Sequence, residues 1–240
     1  RRRHRRRCLP RAGWWAAQGA TIHVHARGKR HLADPARLLA SAARVYGADL
    51  HRLWGSMQPV AEDRLQAHEG DDPFEVAGLG FRSIDTPGHA VHHLAYALGD
   101  EVFTGDVAGI RLPGCTAVVA PTPPPDIDPG AWRASLERIR RLRPAKLHLT
   151  HFGSADGVDA HLDAVAASLE ASLEQVADGR KRGLDRDALV GEYSAWSRLA
   201  LTRRGLTGRV LDAYVAANPP GMAVDGLLRC LELAEASKEG

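Results

Sequence analysis

Three short segments of the chain each combine the end of an apolar stretch with a glycine and a side chain that can bind a metal ion. The segments are Thr86-Pro87-Gly88-His89, Phe103-Thr104-Gly105-Asp106 and Leu149-Thr150-His151-Phe152-Gly153. Glycine lets the backbone turn sharply beside each ligand, and loops at strand ends often carry functional residues. Imidazole nitrogen and carboxylate oxygen suit Zn²⁺, and also Fe or Mn. Each segment alone also fits an ordinary turn, so their order and their spacing of 17 and 45 residues carry the argument.

The apolar pattern changes from strand-like to helix-like along the chain. β-branched or apolar runs between turn residues predict strands at 21–25, 80–86, 93–98, 101–104, 116–120 and 146–150. Apolar residues spaced by three or four predict helices at 35–46, 132–142, 157–179, 185–203, 207–217 and 223–236, with Gly179 ending the long one. Strands that alternate with helices and precede a helical tail predict an α/β or α+β sheet domain.

The composition favours a globular chain with one substantial core. Of the 240 residues, 44% are hydrophobic, which is enough for one core with a small helical appendage. No apolar run approaches the roughly 18 to 20 residues that a membrane span requires, so we expect a cytoplasmic protein with no membrane partner. Cys8, Cys115 and Cys230 lie far apart without ligand spacing, and we predict that they are free thiols.

The formal charge of +3 originates in the first seven residues. Six arginines lie in residues 1–7, and the rest of the chain has 26 basic against 29 acidic residues. A short arginine run can bind nucleic acid or anionic membranes, but a solvated tail is its commoner meaning. No aromatic platform or recognition motif accompanies the run. We therefore expect no nucleic-acid partner.

The three ligand segments and the longer phrases around them resemble the metallo-β-lactamase superfamily, which includes glyoxalase II and lactonases. The phrases are TPGHAVHHLAYALGDEVFTGDVAG, PTPPPDID and LHLTHFG, and the resemblance runs from about Ala12 to the C-terminus. It implies an αββα sandwich, here lacking its first strands, with a C-terminal helical extension. It also implies that His89 binds one metal ion, Asp106 bridges two and His151 binds the second. Zn²⁺ is the expected metal, with one or two ions in intact relatives and Fe or Mn as alternatives.

The sequence departs from the superfamily at the motif that supplies the other ligands. That motif is His-x-His-x-Asp-His, and it occurs nowhere in the printed sequence. If Ala12 opens the helix that follows the motif, the six motif positions fall on Arg3 to Cys8, and guanidinium groups offer no lone pair to a metal. We expect a chain that is truncated or frameshifted at this point. The expected organisation is an Arg-rich tail at 1–11, a partial metallo-β-lactamase-like domain at 12–156 and a helical region at 157–240.

Other histidines lie near the candidate ligands in the sequence. His92 and His93 follow His89 closely, and either could support the ligands or face a substrate, whereas on a strand only one of the two could point toward the site. The early histidines could line the pocket, but structural roles are favoured; they are His23, His25 and His31. His148 alternates with the His151 position along its strand and is expected to point elsewhere.

The resemblance implies a metal-dependent hydrolase acting on an ester, thioester or lactone, with a small molecule as its partner. We expect little or no activity from this chain, because half of the ligand set is missing. The alternative function is a non-catalytic scaffold or binding protein that retains the fold. The C-terminal helices could cover the mouth of the site or form a contact in a homodimer.

Overall fold

The structure is a computed structural model that describes residues 11–47, 50–51, 55–151 and 153–236. The described residues form two compact units, one ending at Asp72 and one beginning at Pro73. The predicted Arg-rich tail lies outside the described residues except for Arg11, as does Cys8. The predicted domain boundaries at residues 11 and 156 stay predictions.

The described residues of the first unit include three helices with described bounds and a pair of parallel strands. In chain order these are α1 (Ala12–Ala17), β1 (Ile22–His25), α2 (Ala26–Ala33), α3 (Ala36–Tyr46), a 3-10 turn (Glu62–Arg64) and β2 (Leu65–His68). A small apolar core forms around Leu32, Met57 and Val60. The predictions of β1 and α3 are confirmed. Helix α2 was not predicted: it starts directly after β1, and the His25 side chain caps it by accepting a hydrogen bond from Arg27 N at 3.0 Å.

The second unit is built on a six-stranded mixed sheet. Its strands are β3 (Pro73–Val76), β4 (Leu79–Asp85), β5 (Leu94–Leu98), β6 (Glu101–Phe103), β7 (Lys146–Leu149) and β8 (Gly153–Ala155), in that order across the sheet. All neighbouring strands are antiparallel except β6 and β7, which are parallel. A parallel pair needs a long crossover connection, and the chain between β6 and β7 supplies it with a helix.

Among the described residues, one helix connects β6 to β7 and four helices follow β8. They are α4 (Pro129–Arg141), α5 (Val158–Lys181), α6 (Arg186–Arg203), α7 (Gly208–Ala217) and α8 (Pro220–Ala236). Asp128 caps α4 by accepting a hydrogen bond from Ala131 N at 2.9 Å, and Pro129 occupies its first position, where no amide donor is needed. No helix among the described residues is long and apolar enough to cross a membrane.

The main core lies between the sheet and the helices α4 and α5. The sheet contributes small and β-branched side chains such as Ile84 and Val102, and the helices contribute Trp132 and Leu162, all of them almost completely buried. Each large apolar side chain removed from water contributes roughly 1.5–3 kcal/mol before entropy is counted. The fold is therefore a mixed α/β arrangement with a helical C-terminal region, as predicted.

Two predictions about local structure are wrong. Residues 116–120 do not form a strand of the sheet; Val119 makes only an isolated antiparallel bridge to Ile110. Gly179 does not end the long helix, which continues to Lys181. Gly179 is instead a close-packing position, because an added Cβ would lie 2.5 Å from Leu189 Cδ2. The chain leaves the helix at Gly183, whose φ is +78°.

Candidate metal centre

The turn that carries His89 joins β4 to β5 and is fixed against the start of α4. Gly88 has φ +130°, and a Cβ at this position would overlap the backbone of Trp132. Asp128 N donates a 2.9 Å hydrogen bond to Gly88 O, and Ser135 Oγ donates one of 2.6 Å to Pro87 O. Glycine is required here by both the backbone conformation and the lack of space.

The ring of His89 is held in one orientation. Nδ1 lies 3.0 Å from the carbonyl oxygen of Pro121, and because a carbonyl only accepts, Nδ1 carries the proton. The ring also packs edge-to-face on Trp132, with ring centroids 5.5 Å apart. In the neutral ring, Nε2 therefore keeps its lone pair, and it faces Asp106 Oδ2 at 3.6 Å.

The turn that carries Asp106 follows β6 and contacts the ring of His93. Gly105 has φ +58°, and a Cβ there would overlap His93 Nε2. Asp106 N donates to His93 Nε2 at 3.0 Å, so His93 carries its proton on Nδ1, which donates to Thr86 Oγ1 at 2.8 Å. Burial, and next the nearby His89, lower the pKa of His93 to about 4, so that the ring is neutral at pH 7. One imidazole thus joins the two ligand turns.

Two further ring nitrogens bind the backbone that follows Asp106. Trp132 Nε1 donates to Val107 O at 2.6 Å. His161 Nε2, from the first turn of α5, donates to Ala108 O at 2.8 Å. The Asp106 turn is therefore held at three consecutive residues by rings that come from three different parts of the chain.

His151 approaches the same carboxylate from the turn between β7 and β8. Its Nε2 lies 3.1 Å from Asp106 Oδ1, while His89 lies on Oδ2. The side chains are 13%, 31% and 28% exposed for His89, Asp106 and His151, so the group is open to solvent on one side. The three residues predicted from the sequence lie together, although their role as ligands stays a prediction.

The carboxylate of Asp106 is ionised, and one of its two oxygens accepts no hydrogen bond from the described residues. Burial alone would raise its pKa, but the imidazole of His151, helped by His89 and His93, holds the pKa well below the usual range. Oδ1 is buried, and among the described residues it accepts no hydrogen bond of acceptable geometry, even though His151 Nε2 is near. A buried carboxylate oxygen beside an imidazole nitrogen is a pair of groups that could hold a metal cation.

The arrangement offers two positions for a cation, one at each carboxylate oxygen. His89 and Oδ2 border the first, and His151 and Oδ1 border the second. Within the described ranges, no set of three or more His, Cys, Asp or Glu side chains is arranged to hold one metal ion. The two observations agree, because two side chains from the described part of the chain border each position and the carboxylate is shared.

The other histidines singled out in the sequence have varied surroundings. His92 lies in the same turn as His89, is partly exposed, and disfavours protonation of His93. His148 pairs with Glu101 at 2.7 Å and stacks on Phe103, as expected for a side chain that points elsewhere. In the first unit, His23 Nδ1 lies 2.9 Å from His68 Nε2, His25 caps α2, and His31 lies within α2.

Sequence reasoning missed the residues that orient the candidate ligands. Trp132, for which the sequence indicated no such role, is buried and donates to the Asp106 turn. Thr86, His161 and the Pro121 carbonyl were not singled out at all. A backbone acceptor 32 residues away leaves no mark on the sequence near His89.

The fold and the gathered side chains define a mixed α/β protein with candidate metal ligands at the ends of its strands. The chain belongs to the metallo-beta-lactamase superfamily, whose family model matches residues 12–169. That match begins in α1 and ends within α5, so it includes all three candidate ligands.

Several characterised folds and sequences are similar to this chain. The metallo-beta-lactamase fold-containing protein ST1585 of Sulfurisphaera tokodaii is 38% identical over 118 residues, which cover 49% of this chain and 44% of that protein. The chain thus spans less than half of that relative. The crystal structure of ST1585 aligns with a TM-score of 0.52 at 33% identity, covering 60% of this chain and 57% of the other.

A more extensive structural match has lower sequence identity. The metallo-beta-lactamase family protein TTHA1429 of Thermus thermophilus aligns over 96% of this chain and 71% of its own, with a TM-score of 0.59 and 19% identity. At this identity the match supports the fold alone. The C-terminal helices fall within the aligned region, because nearly the whole chain is covered.

Proposed function

We propose that the protein is a metal-dependent hydrolase in which His89, Asp106 and His151 bind Zn²⁺, with Fe or Mn as alternatives. One observation carries the proposal: two imidazole nitrogens face two different oxygens of a single ionised carboxylate. Asp106 Oδ1 is buried and, within the described ranges, accepts no hydrogen bond, and a cation beside it would offset the cost of burying it. Nitrogen and carboxylate donors fit these three metals.

Each residue has a definite part in the proposed site. His89 would present Nε2 as a ligand because Pro121 holds the proton on Nδ1, and a fixed tautomer is what ligating histidines require. Asp106 would bridge two cations through its two oxygens, and His151 would serve the second. His93 would hold Asp106 in place through its amide without touching a cation.

The substrate that we propose is a small ester, thioester or lactone, in keeping with a glyoxalase II-like branch of the superfamily. When bound, the metal ions would supply a nucleophile at neutral pH and polarise the substrate carbonyl. The partly exposed side of the His151 and Asp106 pair would admit the substrate, and the buried residues Val107 and Ala108 would support the carboxylate from behind. A cytoplasmic location belongs to the same proposal.

We expect weak metal binding and little turnover from this chain. The printed sequence contains no His-x-His-x-Asp-His motif, and each cation position has two described side chains rather than three or more. The second candidate function, a non-catalytic binding or scaffolding protein, is favoured by the same missing ligands. A scaffold would keep its fold and its partner when His89 or His151 is replaced, whereas a hydrolase would lose metal and activity.

The test is metal content and affinity, measured by inductively coupled plasma mass spectrometry and by competition with a chelator, in wild type, His151→Ala and His148→Ala. His148 is the matched control, since it lies on β7, just before the turn that carries His151, but contacts Glu101 and Phe103. We expect metal to be lost from His151→Ala and retained by His148→Ala. Equal metal in all three proteins contradicts the assignment of His151, and rapid turnover of a thioester or lactone panel contradicts the expected impairment.

A further inference from the structure

We propose that the C-terminal helices α5, α7 and α8 orient the ring of His89 by holding the carbonyl group of Pro121 in place. The proposal concerns how the ligand is oriented, and for its metal readout it rests on the proposed function. Pro121 is the acceptor for His89 Nδ1 at 3.0 Å. Proline has no amide proton and cannot anchor its own backbone through a donor. Its carbonyl must therefore be held through its neighbours.

The residue before Pro121 is bound on both of its backbone groups. Ala120 N donates to Ser168 Oγ on α5 at 3.0 Å. Ala120 O accepts from Asn218 Nδ2, just after α7, at 3.5 Å. Both Ala120 and Asn218 are buried, so neither bond is easily replaced by water. The backbone of Ala120, which leads into Pro121, is thus bound by α5 and by the residue that follows α7.

The residue after Pro121 is packed against α8. Thr122 is completely buried, and its Oγ1 donates to Ala223 O at 3.4 Å. Gly226, one turn further along α8, lies so close that an added Cβ would overlap Thr122 O and come within 2.8 Å of Pro123 C. Gly226 lies in the middle of the helix, where glycine is unfavourable. The close approach of the loop accounts for a glycine at this position.

The same loop is held further upstream by α7. Tyr214 OH donates to Ala117 O at 2.7 Å and accepts from Leu112 N at 3.1 Å. Residues 112–122 thereby contact three helices that are distant in sequence, and the Pro121 carbonyl is the point where the loop meets His89. The helices therefore act on His89 through one backbone acceptor, the carbonyl group of Pro121.

The first test uses paired serine variants on α5. Ser168→Ala removes the acceptor for Ala120 N, whereas Ser172→Ala removes a buried hydroxyl one turn away that contacts Tyr193 OH instead. Nitrogen NMR of the histidine rings in metal-free protein reports which nitrogen of His89 carries the proton. We expect Ser168→Ala to lose the uniform Nδ1-protonated form and Ser172→Ala to keep it.

The second test uses paired glycine variants in helix interiors. Gly226→Ala forces the Thr122 carbonyl away, whereas Gly191→Ala adds a Cβ in open space on α6. Both changes favour helix formation, so a difference between them reports the contact with the loop. We expect Gly226→Ala to disturb the His89 proton as Ser168→Ala does, and Gly191→Ala to leave it unchanged.

Metal affinity provides the second readout for the four variants. Loss of a partner that orients a ligand typically weakens binding about 10- to 100-fold, and we expect about 10-fold for Ser168→Ala and Gly226→Ala. If the protonation of the His89 ring is unchanged in both Ser168→Ala and Gly226→Ala, the proposal is wrong. It is also wrong if the two control variants change that protonation equally. If wild type binds no metal, the proposed function fails while the ring protonation still decides this inference. If Gly226→Ala does not fold, Ser168→Ala decides it.

Discussion

The turn that carries Asp106 and the turn that carries His151 differ in how they are held. The Asp106 turn is bound at three consecutive residues by His93, Trp132 and His161. Among the described residues, the ring of His151 makes one polar contact, with Asp106 itself. Contacts with the rest of the protein fix the position of the Asp106 carboxylate. The orientation of the His151 ring depends on its contact with that carboxylate. The Asp106 turn is therefore the rigid part of the candidate site.

The largest effect is expected from Gly105→Ala in the rigid turn. Backbone strain at φ +58° and the overlap with the His93 ring together cost about 4 kcal/mol of unfolding free energy. Gly99→Ala is the control, because Gly99 has the same φ with open space around it and costs only about 1 kcal/mol. Urea denaturation measures both. Equal losses would mean that contact with His93 does not constrain the turn.

The next largest effect is expected from His93→Ala. The change leaves the Asp106 amide and the Thr86 hydroxyl without their partner and opens a cavity, at a cost of about 3 kcal/mol. His148→Ala removes a partly exposed pair with Glu101 and should cost about 1 kcal/mol or less. Chemical denaturation compares the two. A similar small loss in both variants would contradict the bridging role of His93.

Acid should weaken the rigid turn through His161. Burial lowers the pKa of His161, only partly offset by its bond to Ala108 O, and its buried Nδ1 has no partner among the described residues. The neutral ring therefore contributes stability that is present above about pH 6.5, the unfolded value, and is lost as the pH falls toward the lower folded pKa. His161→Gln cannot titrate. We expect wild type to lose unfolding free energy relative to His161→Gln between pH 7 and pH 5. If the unfolding free energies of the two proteins fall in parallel, His161 makes no such contribution.

The smallest effect on stability is expected from His151→Ala. Its side chain is 28% exposed and no described residue other than Asp106 makes a polar contact with its ring, so the loss should be about 0.5 kcal/mol. Thermal denaturation of metal-free protein measures it. A loss as large as that of His93→Ala would show that the two turns are equally part of the folded framework, and the contrast between them would fail.

The secondary structure was predictable where one local pattern dominated. The alternation in β4, β5 and β7 and the long apolar spacing of α5 fixed their positions within a few residues, because burial of one face repeats with a local period. Short elements such as β3 and β8 were not predicted. Their few residues carry no complete pattern, and pairing with neighbouring strands decides them.

The sequence by itself determined which side chains belong to the candidate site. Glycine next to His89 and Asp106 sets a sharp turn at each strand end, and a positive φ is a local property that glycine alone adopts freely. How those side chains point depends on contacts that form only in the folded chain. The proton on His89 Nδ1 depends on the carbonyl group of Pro121, and the tautomer of His93 depends on the Asp106 amide and the Thr86 hydroxyl. Hydrogen bonds between residues far apart in the chain become visible only when the chain is folded, because no local pattern encodes them.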